Sequence, residues 1–413
     1  GLVRMEYDFA EDWMVHGALG ATEFDGKFLR TTGAGLTESG DFTQTAREQR
    51  DVESNVSGAV GLRGQFETAF ITHQLSFETT RRETESGRDR QNIAGYSITS
   101  NIFNPVFTSQ PDYTPLSGSV PTTNKSVVES TAIADVLGFF DDRALLTLGV
   151  RNQRVSSDNI NATTGLTTSA YDESALTPAI GFVVKPQQSL SVYGNYIESL
   201  EQGATAPTTA SNAGEAFAPA VTKQIEFGVK YDMGTLGVTA GVFQLEQPSG
   251  FTDASNTFSI DGEQRNRGVE LSAFGQLTPD IRLLGGVTYL DAQLIKTQNG
   301  TNDGKRAVGV PEFAGVLGME WDTPFVDGLT LSARGNHMGG QYIDSGNTKK
   351  IDSYNLFSIG ARYEQKIEEQ DFIFRANVSN LLDEDYWITF PGGTNLLYYG
   401  APRVISLSAT MKF

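Results

Sequence analysis

The sequence predicts an all-β fold, a transmembrane antiparallel β-barrel, and three observations predict it. Apolar and polar residues alternate with a period of two in segment after segment, the mark of strands with one apolar face. Short and long connections between those segments take turns along the whole chain. With 38% hydrophobic residues and a negative mean hydropathy, the chain has no apolar run of helix-spanning length. Membrane barrels hide their lipid face in alternation, so that hydropathy does not argue against them.

Taken in order, 2–9 and 13–24 read as strands around a turn at 10–12. Segments 52–63 and 68–80 flank 64–67, and 127–140 and 144–155 flank 141–143. Segments 175–185 and 190–198 flank a turn at Pro186, and 222–231 and 236–246 meet at Asp232-Met-Gly. Segments 264–276 and 281–291 meet at Thr278-Pro-Asp, and 312–321 and 329–337 meet around Asp322-Thr-Pro-Phe-Val-Asp-Gly. Segments 354–364 and 372–378 flank a charged turn, and 403–413 closes the series. Turn-forming residues fall where hairpins need them.

The alternation can be checked residue by residue. Ile225, Phe227, Val229 and Tyr231 oppose Gln224, Glu226, Gly228 and Lys230; Val269, Leu271 and Ala273 oppose Glu270, Ser272 and Phe274. Leu329, Leu331 and Ala333 oppose Thr330, Ser332 and Arg334. In the last segment Ile405, Leu407, Ala409, Met411 and Phe413 alternate with Val404, Ser406, Ser408, Thr410 and Lys412. The connections 25–51, 81–126, 156–174, 199–221, 247–263, 292–311, 338–353 and 379–402 are long, and each follows a short-turn hairpin. A soluble sandwich gives no reason for that segregation, whereas outer-membrane barrels place short turns on one side and long loops on the other.

About seventeen strands result, an odd number, where bacterial single-chain barrels close with an even one. With the short turns inside the periplasm, 403–413 ends on the correct side, but 2–9 runs downward and leaves Gly1 outside. The expectation is therefore that further strands precede Gly1 and that 1–413 is the carboxy-terminal portion of one barrel domain.

Composition excludes several classes. A formal charge of −19 argues against a nucleic-acid partner, and the absence of Cys removes disulfides and thiolate metal sites. His16, His73 and His337 are far apart in sequence and lack partners at ligand spacing, so no catalytic residue and no metal site is assigned. Gly33-Ala-Gly35 and Gly58-Ala-Val-Gly61 lack the strand-to-helix setting of a phosphate loop. Asn299-Gly-Thr-Asn-Asp-Gly lacks the alternating carboxylates of a calcium loop. No cofactor is expected.

Val378-Ser-Asn-Leu-Leu-Asp-Glu-Asp-Tyr-Trp, followed by Tyr399-Gly-Ala-Pro-Arg-Val-Ile-Ser-Leu-Ser, resembles the end of TonB-dependent outer-membrane receptors, the siderophore-receptor branch in particular. Leu176-Thr-Pro-Ala-Ile-Gly, Val192-Tyr-Gly-Asn-Tyr-Ile-Glu-Ser, Lys223-Gln-Ile-Glu-Phe-Gly-Val-Lys-Tyr, Gln264-Arg-Asn-Arg-Gly-Val-Glu-Leu and Val308-Gly-Val-Pro-Glu-Phe add to it in the family's order. The resemblance covers the chain from about residue 130 onward; before that it is one of hairpin rhythm. It implies a barrel of about twenty-two strands around an amino-terminal plug, with a TonB-contacting box before the plug. Neither plug nor box is among these residues. It further implies bacterial outer-membrane localisation and uptake of a ferric siderophore or similar chelate. The implied partners are that chelate, the TonB complex through the plug region, outer-membrane lipid, and the assembly machinery that reads the terminal strand. Tyr399 and Phe413 are the candidate assembly signal.

Such chelates call for aromatic walls and a few donors at the lumen mouth. The candidate substrate-binding residues are Tyr96, Phe103, Tyr113, Phe251, Tyr342, Trp387, Phe390 and Tyr398, with Phe107, Phe258 and Tyr399 as further loop aromatics. The competing role is the interfacial aromatic belt, which Tyr386 and Trp387 fit equally well in sequence. Arg81, Arg82, Arg88 and Arg90, expected at the base of the longest loop, could draw in an anion or pair with Glu83, Glu85 and Asp89. Two rival readings remain at this level: a passive outer-membrane pore or structural barrel lacking a plug, and a soluble all-β binding protein.

Overall fold

The computed structural model of the chain describes residues 1–412 apart from Glu38, Phe103, Phe107, Gln202, Thr205, Thr208, Ala213, Gly214, Ala216, Glu369, Gly393, Thr394 and Asn395. The candidates Phe103, Phe107 and Phe413 therefore lie outside the described residues. The strands are β1 (Leu2–Ala10), β2 (Trp13–Ala34), β3 (Asp41–Thr68), β4 (Ile71–Asn101), β5 (Asn124–Phe139), β6 (Ala144–Ile160) and β7 (Thr167–Gln187). They continue with β8 (Leu190–Glu201), β9 (Ala220–Asp232), β10 (Leu236–Thr252), β11 (Phe258–Thr278), β12 (Ile281–Lys296), β13 (Phe313–Asp322) and β14 (Leu329–Met338). The rest are β15 (Gln341–Tyr342), β16 (Lys350–Ile351), β17 (Tyr354–Ile367), β18 (Gln370–Ser379), β19 (Trp387–Ile388), β20 (Tyr398–Tyr399) and β21 (Val404–Lys412). The pairs β15–β16 and β19–β20 are small ribbons within long connections; the others form one 17-stranded antiparallel sheet.

That sheet is a meander. Each long strand pairs with the next one in sequence, so the register carries one face around the molecule. Val15 sits opposite Leu62, Leu62 opposite Phe77, Phe77 opposite Ile133 and Ile133 opposite Val150. The other face has Glu6 opposite His16, His16 opposite Gly61 and Gly61 opposite Glu78. The apolar face stays uncovered in strand after strand: Val60, Ile133, Ile180, Phe227, Val269, Leu317 and Ile359 are all exposed. An apolar band of that extent is unstable in water and is stable only where hydrocarbon is the solvent. Aromatic rings rim the band at the short-turn end: Trp13 stacks on Phe66 at 6.2 Å and Trp321 meets Phe325 edge-on at 5.8 Å. This is the belt expected where hydrocarbon gives way to headgroups.

Several strands are much longer than their alternation indicates. A tilted membrane strand needs about 9–11 residues, whereas β2, β3 and β4 have 22, 28 and 31. The expected long connections 25–51 and 81–126 are therefore corrected: most of 25–51 and the first half of 81–126 are strand. The same holds for 156–174 and 247–263, which are largely the tips of β6–β7 and β10–β11. The expected turn at 64–67 lies instead at Ala69–Phe70. Gly64 is needed for space, since a Cβ there would collide with the ring of Trp13.

Both sheet edges are open among the described pairings. β1 pairs only with β2 and β21 only with β18, and every described residue of both strands is exposed. In a 17-strand meander the first and last strands run in the same direction.

Candidate functional site

Three connections at the long-loop end, 297–312, 339–353 and 380–403, are tied together by backbone and amide hydrogen bonds. The Asn347 side chain accepts from the Arg306 N–H at 2.7 Å and donates to the Arg306 carbonyl at 3.0 Å. Gly309 N–H donates to the Tyr342 carbonyl at 2.8 Å, and buried Gln341 Nε2 returns a bond to the Gly309 carbonyl at 2.7 Å. Gly392 N–H reaches the Val308 carbonyl at 3.2 Å. Residues 307–309 are thus the common strut, with Ala307 and Val308 both buried. Gly309 has a φ of +74°, and a Cβ there would strike the Phe390 carbonyl, so only glycine fits.

The strut positions the aromatic candidates of this sector. In the β19–β20 ribbon Trp387 lies opposite Tyr399 and Ile388 opposite Tyr398. Trp387 and Tyr399 pack edge-to-face at 5.5 Å, and Phe390 lies 5.9 Å from Tyr398. The Tyr399 hydroxyl donates to Asp385 Oδ1 at 2.5 Å, and that carboxylate pushes the Tyr399 pKa up. Phe390, Tyr398 and Tyr399 stay exposed, so their faces are free for a ligand. On the neighbouring loop Lys350 Nζ stands 5.5 Å from the Tyr342 ring. The sector therefore carries two separate ring pairs, Trp387–Tyr399 and Phe390–Tyr398, and on the neighbouring loop Tyr342 beside a cation, exposed aromatic surfaces of the kind that hold a flat or aromatic-armed chelate.

The other candidates lie elsewhere on the rim. Tyr96 belongs to β4 and bonds Thr108 through its hydroxyl at 2.7 Å, while Tyr113 is in the irregular 102–123 segment. Phe251 is in β10, next to the tip that Asn212 and Phe217 contact. There Phe217 meets Phe258 at 5.5 Å, and Asn212 both donates to and accepts from the Phe258 backbone at 2.9 Å. The expected basic group at a loop base is also corrected, because Arg81–Arg90 runs along β4 and splits between its faces. Arg81 pairs with Glu129 and Glu83, and Arg88 with Asp51 at 2.6 Å. Arg82 and Arg90 reach only the amide oxygens of Asn55 and Gln49. Sequence reading missed Arg30 and Arg47, which strand register brings to the same face as Arg90.

The histidines do not converge. His16 bonds Glu78 at 3.2 Å, His73 bonds Asp135 at 2.7 Å and His337 bonds Asn355 at 2.8 Å, each in a separate place. Among the described residues no group of three His, Asp or Glu is arranged to hold a metal ion.

An apolar-banded β-sheet that turns a polar face inward and carries a knitted loop sector at one end defines a membrane-spanning barrel. The chain belongs to the TonB dependent receptor-like, beta-barrel family, whose model matches residues 2–381. Among similar proteins, the ferrichrome receptor FcuA of Yersinia enterocolitica is 35% identical over all of this chain and 55% of its own length. The ferrichrome outer membrane transporter/phage receptor of Escherichia coli K12 is 29% identical over 76% of this chain and 42% of itself. Among solved structures, the ferric preacinetobactin receptor BauA of Acinetobacter baumannii superposes with a TM-score of 0.90. It is 37% identical, and the match covers all of this chain and 62% of that one. The siderophore receptor PiuA of the same species, at 20% identity and a TM-score of 0.81, shares the fold. This chain thus spans 55% and 42% of the lengths of these two named relatives, about half, and its place is the outer membrane. The family consists of transporters and receptors.

Proposed function

We propose that this barrel is the carboxy-terminal portion of an outer-membrane receptor for TonB-dependent uptake of a ferric siderophore or similar chelate. The observation that carries the reading is the knitted loop sector at the long-loop end of a barrel of this family, which bears the ring pairs Trp387–Tyr399 and Phe390–Tyr398 and, on the neighbouring loop, Tyr342. Solved and named relatives that bind ferrichrome, preacinetobactin and other siderophores support the substrate class.

The open edges support the domain reading. β1 and β21 run the same way, so an antiparallel ladder between them needs an odd number of further strands. Five would give the twenty-two of the largest transporters of about this type. A plug within the closed barrel would gate the ligand and engage the TonB complex. β21, leading to Phe413, would be read by the assembly machinery, and the apolar band would contact lipid.

The test uses the complete receptor in detergent, titrated with ferric siderophores while tryptophan fluorescence is followed. Trp13 and Trp321 lie in the short-turn belt, so Trp387 is the reporter among the tryptophans of this chain. Quenching on binding that is lost in Trp387→Phe is expected. A receptor that binds no ferric chelate by fluorescence or calorimetry overturns the reading.

A further inference from the structure

We propose that the inward face of the tall β2–β3–β4 wall is an anion-binding surface, and that the chelate this receptor takes carries net negative charge. The inference rests on the receptor reading above and narrows its substrate class.

Register defines the surface rung by rung. β2 and β3 pair without a bulge from Trp13–Gly64 up to Ala34–Thr43, so Phe24, Phe28 and Arg30 share the face of His16, the polar interior of the barrel. One rung joins Phe28, Gln49 and Arg90; the next joins Arg30, Arg47 and Asn92. Arg30 and Arg47 are thus direct cross-strand partners, with Arg90 one rung below. Like charges placed opposite one another on a sheet destabilise it, yet none of the three has a carboxylate within 4.0 Å among the described ion pairs. Among the described residues the Arg90 guanidinium bonds only the Gln49 amide, at 3.1 Å. Arg47 makes no hydrogen bond among the described residues, and its Nε is buried without a partner. Arg30 lies over the ring of Phe28 at 4.8 Å, and Phe28 stacks on Phe24 at 6.5 Å. The acids on this face of β3 are engaged: Asp41 above the arginines by Ser39 and Asn101, and below them Asp51 by Arg88, Gln49 and the charge of Arg30, and Glu53 by Asn55.

The opposite face of the same strands behaves differently. Its Arg50 is held by Asp25 at 2.5 Å, and the chain's own 102–123 segment covers it. Leu116 N–H donates to buried Glu48 at 2.6 Å, and Arg50 donates to the Gly118 carbonyl at 2.7 Å. In a chain with 50 acidic and 31 basic residues, carboxylates are abundant. Three arginines with no carboxylate at ion-pair distance among the described residues, on the face that looks into the mouth, make a surface complementary to an anion. Guanidinium groups bind carboxylate, phosphate or catecholate oxygens through charge-assisted, fork-like bonds, and the adjoining Phe28 offers a planar arm a stacking surface.

The test compares the complete receptor with an Arg30→Gln/Arg47→Gln/Arg90→Gln variant and its triple Lys counterpart. Heat-modifiable gel mobility checks that each barrel is folded. Each is titrated by calorimetry with a ferric tris-catecholate, which is anionic, and a ferric tris-hydroxamate, which is neutral, at low and high salt. We expect tight, salt-sensitive binding of the tris-catecholate, weakened about tenfold or more in the Gln variant and partly restored with Lys. Unchanged affinity in the Gln variant overturns the proposal, as does exclusive binding of the neutral chelate, and both leave the receptor reading standing. Binding of neither chelate overturns the proposal, and the receptor reading falls with it only if no other ferric chelate binds.

Discussion

The backbone N–H of Arg403 donates to Asp383 Oδ1 at 2.8 Å, while its guanidinium reaches Oδ2 at 3.3 Å. The pair closes the 380–403 loop at its base and joins the two halves of the motif seen in the sequence, Asn-Leu-Leu-Asp and Tyr-Gly-Ala-Pro-Arg. Beside it, buried Asn380 donates to the Glu384 and Ala401 carbonyls at 2.9 and 3.1 Å and accepts from the Glu384 N–H at 2.9 Å. The motif is thus a clasp that presents Trp387 and Tyr399.

Removing the clasp amide costs more than removing the half-exposed ion pair. Asn380→Ala removes three hydrogen bonds at once, at about 0.5–1.5 kcal/mol each; loss of a pair as exposed as Arg403–Asp383 costs ~0.2–1 kcal/mol. Tryptic cleavage after Arg403 in the folded barrel is expected to speed up strongly in Asn380→Ala and only slightly in Asp383→Ala. The reverse order would show that the ion pair, not the amide, holds the loop.

Asp344 gives the β15–β16 ribbon a pH threshold. Its carboxylate accepts from Thr348 N–H at 3.0 and 3.1 Å, Lys349 N–H at 2.6 Å and the Thr348 hydroxyl at 2.9 Å. The Thr348 backbone bond is the main cause that its pKa lies below the ordinary 3.8. A depressed folded pKa means stabilisation that is complete above the unfolded value and lost as pH falls through the folded one. Amide protons of Thr348 and Lys349 should therefore stay protected from exchange from neutral pH down to about the ordinary carboxylate value, then lose protection below it. In Asp344→Ala they should exchange freely at every pH.

What the sequence revealed depends on where an apolar solvent imposes a pattern. Ile225, Phe227, Val229 and Tyr231 alternate with polar residues because one side meets lipid and the other the lumen, and those strands match their expected bounds closely. Above the apolar band both sides are polar. Thr45-Ala-Arg-Glu-Gln-Arg-Asp carries no period of two, so the upper halves of β2, β3 and β4 read as loops although they are strands. The site divides similarly. Trp387, Phe390, Tyr398 and Tyr399 are close in sequence and were legible singly as loop aromatics, whereas the pairing of Trp387 with Tyr399 and of Phe390 with Tyr398 was not read there. That of Arg30 with Arg47 depends on register across a hairpin tip, and composition does not encode it.

Gly309 is the position where one methyl group separates barrel stability from binding. Gly309→Ala places a side chain at φ +74°, costing roughly 1–2 kcal/mol, and drives its Cβ into the Phe390 carbonyl. The strut must then shift, loosening its bonds to Tyr342 and Gly392 without touching the transmembrane ladder. The variant is expected to assemble, keep its heat-modifiable mobility and lose chelate affinity. An affinity equal to that of the native receptor would show that the strut does not position the rings.

Face assignment can be tested by placing the same charge on either side of one barrel. Leu317 is on the apolar face, opposite Gly285 and Gly335, with 58% of its surface uncovered. Ser272 is on the inward face, next to Glu270 in its strand and opposite Thr239 and Gly286. An arginine at lipid depth costs about 2–4 kcal/mol at the midplane, whereas one in a watery lumen costs little. Leu317→Arg should therefore lower the urea midpoint of the refolded barrel in lipid vesicles, and Ser272→Arg should leave it within error. Equal losses at both sites would mean that the uncovered apolar band does not face hydrocarbon, and the membrane-spanning architecture would fall with it.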